Sequence, residues 1–182
     1  YMRNFFAWIM LILIFGCSDS NDTAETPINK GQNFSKIIVD GVQREFYFHV
    51  PQTFSSTDKV PVVIMCHGSG GDGLKMYNNS GWKEVGETEN IITVFPSSGE
   101  YCVYEEGKKI KQAKWNAAGS FSFCENEKPL NDRKFMKEMI AWFDKKLGVD
   151  LKRIHIVGFS NGASFAADAG LAMSDVFASS IS

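Results

Sequence analysis

One stretch of this chain decides its fold, residues 150–163, which read Asp-Leu-Lys-Arg-Ile-His-Ile-Val-Gly-Phe-Ser-Asn-Gly-Ala. Within it, residues 153–157 predict a short strand, and the Ala- and Gly-rich residues 161–173 predict a helix that packs close to a sheet. Upstream, residues 61–66 and 91–95 are continuous apolar runs, as expected of strands buried on both faces. Buried strands that alternate with helices predict an α/β fold with a mostly parallel sheet covered on both faces.

The turn between that strand and that helix carries the pattern Gly-x-Ser-x-Gly, formed by Gly158, Ser160 and Gly162. A strand before this pattern and a helix after it are typical of a nucleophile elbow, in which the serine has a positive φ and larger side chains at the glycines would clash. The pattern therefore predicts Ser160 as a nucleophile and the backbone N–H of Asn161 as an oxyanion donor. The alternative is an ordinary strand-to-helix turn of a nucleotide-binding α/β domain.

A second glycine-rich segment follows the strand predicted at 61–66, in the sequence Cys-His-Gly-Ser-Gly-Gly of residues 66–71. Glycines there let the backbone approach a substrate oxygen, so Ser69 or Gly70 is the expected second N–H donor. A phosphate-binding turn is the alternative, but the segment lacks the lysine and the spacing of a P-loop.

Two further elements are predicted from residue periodicity. Residues 35–40 and 42–50 alternate apolar and polar side chains around a tight turn, which predicts an antiparallel hairpin. Residues 133–147 place apolar side chains on one helical face, with Asp132 as the expected N-cap and Gly148 as the C-terminal stop.

The N-terminal region predicts export. Tyr1 is excluded because Met2 reads as the start, and residues 5–15 form an apolar run typical of a signal peptide. The following Gly-Cys resembles a lipobox, so Cys17 is the expected lipidation site; a plain signal peptide with an incidental cysteine is the alternative. Residues 18–33 are polar and acidic, which predicts a flexible tether. The predicted division is a signal segment 1–17, a tether 18–33 and a catalytic domain 34–182.

The charge and the cysteine content indicate which partners and which crosslinks to expect. The formal net charge is −2, with 19 basic and 21 acidic residues in no long runs, so nothing indicates nucleic-acid binding. Cys102 and Cys124 lie in a polar excursion and would form a disulfide in an oxidising compartment, with a reduced pair as the alternative. Cys66 is expected to be buried, and no His or Cys spacing indicates a metal site.

Residues 36–182 resemble the exported polyhydroxybutyrate depolymerase and feruloyl esterase family of α/β-hydrolases, which is related to acetylxylan esterases. The resemblance rests on residues 44–51, 61–68, 115–116, 131–132 and, above all, 150–163. Members usually have two acidic residues where this chain has Asn131-Asp132, which is a mild departure. The family implies ester hydrolysis by a Ser-Asp-His triad in that order, without a cofactor.

The larger departure is that no histidine follows Ser160, while Asp168 and Asp175 are the only later acids. The three earlier histidines, His49, His67 and His155, are expected to be structural. We therefore expect the sequence to be the N-terminal part of a longer protein with about 80 to 130 further residues that supply the Asp and His. On the same argument, residues 176–182 predict the start of the next strand.

The functional hypothesis is an exported serine esterase that forms an acyl-enzyme on feruloyl or acetyl esters of plant polysaccharide, or on polyhydroxyalkanoate. It would be anchored by lipid at the outer membrane or cell surface, or otherwise be periplasmic or extracellular. Trp82, Trp115 and Tyr101 are candidates for the acyl pocket, with a role in packing alone as the alternative. The alternative is a catalytically silent surface lipoprotein that binds carbohydrate.

Overall fold

The computed structural model describes residues 27–117, 119 and 121–182. The predicted signal segment, the lipidation site Cys17 and most of the predicted tether lie outside the described residues. Within the described ranges, no helix has both the length and the apolar character needed to cross a membrane.

The described residues form nine strands and four helices. In chain order these are β1 (Gly31–Val39), β2 (Val42–Val50), β3 (Val62–Cys66), α1 (Gly73–Asn79), α2 (Trp82–Glu89), β4 (Ile92–Pro96), β5 (Gly99–Glu105), β6 (Lys108–Lys114), β7 (Ser122–Phe123), α3 (Asp132–Leu147), β8 (Ile154–Gly158), α4 (Asn161–Ala172) and β9 (Ser179–Ile181).

The main sheet has six strands in the order β1-β2-β4-β3-β8-β9. Strands β1, β2 and β4 pair antiparallel, whereas β4, β3, β8 and β9 are all parallel. This is the mostly parallel α/β sheet predicted from the apolar runs, and β9 confirms that a further strand follows α4. Every residue of the central parallel strands β3 and β4 is buried, because both faces of these strands are covered.

Alternating side chains of the parallel strands enter two separate cores. Ile64 and Ile156 pack into the larger core with side chains of α3 and α4, such as Phe143 and Phe165. Met65 and Val157, one residue further along the same two strands, pack into a smaller core that includes Tyr77 of α1. Because successive side chains of a strand point to opposite faces, α3 and α4 cover one face of the sheet and α1 the other.

The hairpin of β1 and β2 begins earlier than predicted. Residues 31–33 pair with Val50, His49 and Phe48 of β2, so they belong to the strand and not to a tether. Their polar composition reflects their place on an edge strand, where side chains are exposed on alternate positions.

The N-cap of α3 is Asn131 and not Asp132, which corrects the prediction. The Asn131 side chain accepts a hydrogen bond from the N–H of Lys134 at 3.0 Å. Asp132 is buried instead, where it accepts hydrogen bonds from the Arg44 guanidinium at 2.6 Å and from the N–H of Asn116 at 2.7 Å. A partner 88 positions away in the sequence therefore decides which of the two residues caps the helix.

The polar excursion between β4 and α3 folds as a second sheet in the order β6-β5-β7. A disulfide joins Cys102 of β5 to Cys124, whose Cα atoms lie 5.4 Å apart. Sequence patterning misses these strands because three of the four lysines of β6 are exposed and no continuous apolar run marks them. The disulfide fastens β5 to the segment that returns to α3.

Candidate active site

The turn between β8 and α4 has the geometry expected of a nucleophile elbow. Ser160 has φ 54° and ψ −119°, a left-handed conformation that favours glycine and that costs a serine about 1–3 kcal/mol. Its hydroxyl makes no capping hydrogen bond, and the residue is exposed. The strained backbone therefore presents an accessible hydroxyl at the carboxyl edge of the parallel strands.

The two flanking glycines are required by close backbone contacts. A Cβ atom on Gly158 would lie 2.1 Å from the carbonyl oxygen of Gly162, and a Cβ atom on Gly162 would lie 2.3 Å from the carbonyl oxygen of Cys66. Both separations are far below van der Waals contact. The elbow is thus compressed between α4 and the end of β3, as the sequence pattern predicts.

The glycine-rich segment after β3, here called the oxyanion loop (residues 67–71), lies directly beside this elbow. A Cβ atom on Gly68 would lie 3.3 Å from the Cβ atom of Ser160. The N–H of Gly70 donates to the carbonyl of Ala113 at 2.8 Å and is therefore not available as an oxyanion donor, which corrects that half of the prediction. Ser69 is exposed, and its N–H has no acceptor among the described residues. The loop thus leaves Ser69 as the candidate donor.

Asn161 begins α4, where backbone N–H groups lack helical partners. Its side chain is buried and faces Trp115, with Oδ1 accepting from the Trp115 N–H at 2.7 Å and Nδ2 donating to the Trp115 carbonyl at 3.2 Å. These bonds hold the residue whose own N–H is the second candidate donor.

His67 has both ring nitrogens engaged. Nδ1 donates to the carbonyl of Gly68 at 2.7 Å, and Nε2 accepts from the N–H of Ser98 at 3.0 Å, which requires a neutral ring protonated on Nδ1. Burial lowers the pKa of His67, against the opposing effect of its bond to Gly68. The ring shapes the oxyanion loop and has no nitrogen left to act as a base.

The other two histidines are also engaged away from Ser160. His49 contacts Glu87 through Nε2 at 2.7 Å and the Tyr77 hydroxyl through Nδ1 at 3.3 Å. Nδ1 of His155 lies 2.8 Å from the Ser179 hydroxyl on the neighbouring strand. These contacts agree with the structural roles expected for both residues.

The acids near the site are held in ion pairs. Asp168 of α4 forms a bidentate pair with Arg133 of α3, with N–O distances of 2.6 and 3.0 Å. Burial raises the pKa of the Asp132 carboxyl, and the Arg44 guanidinium and the Asn116 N–H oppose that rise. Both carboxylates join elements of the fold together, so neither is placed to orient a catalytic base.

An open pocket of about 500 Å³ runs along the oxyanion loop. It is lined by Met65, Met76 and Phe159 on its apolar side and by Lys75 and Asn79 at its polar side. Sequence analysis did not identify these residues, since they come from three separate elements and form no motif.

The three aromatic residues suggested for an acyl pocket do not line the cavity along the oxyanion loop. Trp115 and Tyr101 are buried, and Trp82 packs against the smaller core. Among the described residues, no group of three or more His, Cys, Asp or Glu side chains could hold a metal ion.

Two curated relatives are esterases. The chain is 22% identical over 125 residues to the bifunctional acetylxylan esterase/xylanase XynS20E of Neocallimastix patriciarum, covering 69% of this chain and 15% of that protein. It is 26% identical over 117 residues to acetylxylan esterase A of Aspergillus ficuum, covering 64% of this chain and 34% of that protein. The chain thus spans about a third or less of the length of either relative.

Solved structures show the same fold. The ferulic acid esterase of Anaeromyces mucronatus superposes with a TM-score of 0.55 at 16% sequence identity, covering 90% of this chain and 62% of that one. The sheet order and the helices on both faces are those of an α/β-hydrolase. The names of these three proteins mention acetylxylan and ferulic acid and no polyester, so they do not support the resemblance to polyhydroxybutyrate depolymerases.

A family model described as phospholipase/carboxylesterase matches residues 52–181, which include the oxyanion loop, the elbow and four of the strands of the main sheet. The match covers well over half of the sequence and contains every element of the candidate site. The chain belongs to the phospholipase/carboxylesterase family of α/β-hydrolases.

Proposed function

We propose that the protein is a serine esterase that hydrolyses carboxylic esters through an acyl-enzyme. The observation that carries this proposal is the strained, exposed Ser160 next to Gly68 of the oxyanion loop. The N–H groups of Ser69 and Asn161 are the two candidate oxyanion donors. The Ser160 Oγ attacks the ester carbonyl, the oxyanion accepts hydrogen bonds from the two N–H groups, and the alcohol leaves with a proton. Water then hydrolyses the acyl-enzyme and restores the hydroxyl.

The hydroxyl proton of Ser160 has to be taken by a base. The sequence contains three histidines, and the hydrogen bonds described for them are made to groups other than the Ser160 hydroxyl. The proposal therefore assigns the base, and the acid that orients it, to residues of the full-length protein that are not among these 182. No cofactor takes part in either step.

The proposed substrates are acyl esters of plant polysaccharide. The names of the relatives include both acetylxylan and ferulic acid esterases, which supports this class. The pocket beside the oxyanion loop has about 500 Å³, within the usual range for small-molecule sites and much larger than an acetyl group requires. Its apolar side, formed by Met65, Met76 and Phe159, supports an acyl group with an apolar body, such as a hydroxycinnamoyl group; a polyhydroxyalkanoate chain is the second possibility.

A panel of esters tests the proposal. The full-length protein is expected to hydrolyse p-nitrophenyl ferulate and p-nitrophenyl acetate, which share one leaving group, with the higher kcat/KM for the bulkier acyl group, and to be labelled on Ser160 by a fluorophosphonate. Hydrolysis is followed by absorbance, and the labelled peptide is identified by mass spectrometry. An amorphous polyhydroxybutyrate film serves as the polyester arm of the panel.

The opposite result would favour the binding-protein alternative. Absence of both hydrolysis and fluorophosphonate labelling, together with retention on insoluble xylan, would indicate a carbohydrate-binding lipoprotein. Rapid clearing of the polyester film with no activity on ferulate would instead redirect the substrate assignment.

We also propose that the mature protein is lipidated at Cys17 and exported to a membrane surface. The support is the apolar run 5–15 followed by Gly-Cys. Cys17→Ser is expected to move the protein from the membrane fraction to a soluble exported fraction, whereas Ser18→Ala should leave it in the membrane. Fractionation with immunoblotting measures the change, and a mature N-terminus at any residue other than Cys17 would contradict the proposal.

A further inference from the structure

Residues 113–115 are the last two residues of β6 and the residue that follows, and they are here called the bridging segment. This segment contacts both halves of the candidate oxyanion hole. The Ala113 carbonyl accepts from the N–H of Gly70 at 2.8 Å. The Trp115 indole Nε1 donates to the carbonyl of His67 at 2.9 Å. The Asn161 side chain pairs with both the N–H and the carbonyl of Trp115, at 2.7 and 3.2 Å. One segment therefore binds the oxyanion loop on one side and the start of α4 on the other.

The Trp115 ring is fixed in its own position by packing. It is fully buried, stacks on Phe165 of α4 with ring centres 5.1 Å apart and planes 15° apart, and lies 5.1 Å from the ring of His67. The N–H of the next residue, Asn116, donates to the buried carboxylate of Asp132. These contacts fix the orientation of the indole ring, so that its N–H points toward the oxyanion loop.

The internal hydrogen bonds of the oxyanion loop do not connect it to α4. The Gly68 carbonyl accepts from the N–H of Gly71 at 3.1 Å and from the His67 ring at 2.7 Å, and all of these residues belong to the loop. Three of its five residues are glycine, and glycine restricts the backbone less than any other residue. An oxyanion hole nevertheless requires both donors to lie within about 2.7–3.1 Å of one oxygen position. The distance between the Ser69 and Asn161 donors must therefore be set by contacts from outside the loop.

We propose that Trp115 is a positioning residue that sets the separation between the Ser69 and Asn161 N–H groups. It does so by binding the carbonyl of His67 with its indole and the side chain of Asn161 with its backbone. The inference rests on the proposed esterase function, because it concerns the stabilisation of the oxyanion in that reaction. Trp115 itself contacts no reacting atom in this scheme.

Trp115→Phe in the full-length protein tests this inference. The phenyl ring keeps the stacking on Phe165 but leaves the His67 carbonyl without its donor. We expect kcat to fall about 10- to 100-fold, since a donor misplaced by about 1 Å loses up to 10² in rate, with KM changed less than twofold. Each rate is divided by the concentration of active sites, which is measured by titration with fluorophosphonate. Partly folded protein then does not lower the apparent kcat.

Trp142→Phe is the matched control. Trp142 packs against Phe46, Phe48 and Phe143 on the far side of the larger core and contacts neither donor. It is the same chemical change at a site remote from the elbow, so kcat should stay at the wild-type value. A similar loss of kcat in both variants would indicate a general loss of packing and would overturn the inference.

A second readout separates positioning from stability. Phenylboronic acid forms a tetrahedral anionic adduct with a serine, so its inhibition constant should rise for Trp115→Phe by about the same factor as kcat falls. Asn161→Ala keeps its own backbone N–H but releases Trp115, and it should show the same paired change; it is decisive if Trp115→Phe does not fold. An unchanged inhibition constant would refute a positioning role.

The failure of this inference can be distinguished from failure of the proposed function. If Ser160→Ala retains esterase activity, the proposed function is wrong. If Ser160→Ala is inactive while Trp115→Phe behaves like Trp142→Phe, only the positioning role is wrong.

Discussion

Ser160→Ala in the full-length protein is expected to lower kcat for a carboxylic ester by about 10⁴- to 10⁶-fold, the range found when a serine nucleophile is removed. The hydroxyl is exposed and makes no capping hydrogen bond, so its loss removes chemistry and almost no packing. We expect the melting temperature to stay the same or to rise. Initial rates on a chromogenic ester, with differential scanning calorimetry on the same samples, measure both effects.

Ser164→Ala is the control for this experiment. Ser164 lies one turn along α4 from Ser160 and is also exposed, so it tests whether a serine-to-alanine change on this helix is harmful in itself. It should retain the wild-type kcat. Turnover by Ser160→Ala within tenfold of the wild type would remove Ser160 from the mechanism.

Gly162→Ala is expected to destabilise the fold by more than about 4 kcal/mol, enough to abolish soluble expression of a typical domain. The new Cβ atom would lie 2.3 Å from the carbonyl oxygen of Cys66 and 2.5 Å from that of His67. Both are backbone atoms at the end of β3, and neither can move without shifting the strand or the oxyanion loop. Urea unfolding, or soluble yield where no folded protein is recovered, measures the loss.

The matched change is Gly107→Ala in the turn between β5 and β6. Gly107 has φ 75° but nothing within 4 Å of an added Cβ atom, so alanine there bears only the backbone strain of about 1–2 kcal/mol. Gly162 lies in α4 and has no positive φ, so alanine there bears none of this backbone strain, and a larger loss at position 162 than at 107 comes from the steric contact. Equal destabilisation by both changes would show that the close contact at Gly162 is relieved cheaply.

Local sequence is sufficient to predict the elbow. The close contact between Gly158 and the Gly162 carbonyl lies within five residues, so the pattern predicts it directly. The contact of Gly162 with the Cys66 carbonyl is supplied by the fold, because Cys66 ends the neighbouring strand β3. The parallel strands are predictable for a similar reason, because burial on both faces produces uninterrupted apolar runs such as β3.

Features that depend on distant partners are not predictable in this way. Gly70 and Ser69 look equivalent as donors until the Ala113 carbonyl, 43 positions after Gly70, takes one of the two N–H groups. Asp132 looks like a helix cap until Arg44, on a strand 88 positions earlier, draws it into the core. Two acidic or polar residues in succession do not reveal which of them has a buried partner.

The second sheet is missed for another reason. Its strand β6 has the sequence Lys-Lys-Ile-Lys-Gln-Ala-Lys, whose charges suggest a solvated loop. The strand is nevertheless held by full pairing with β5, and β5 is tied to Cys124 by the disulfide. β6 needs no apolar run of its own because it pairs along its length with β5, whose Tyr101 and Val103 are buried.

The backbone of Ser160 also implies a conflict between durability and activity. A φ of 54° with ψ −119° is a conformation that glycine adopts readily, whereas serine loses about 1–3 kcal/mol in it. Glycine at position 160 would therefore make a more stable protein that has no nucleophile. Directed evolution that selects for heat resistance alone would therefore enrich this inactive variant. Selection on this scaffold has to measure turnover and thermal stability together.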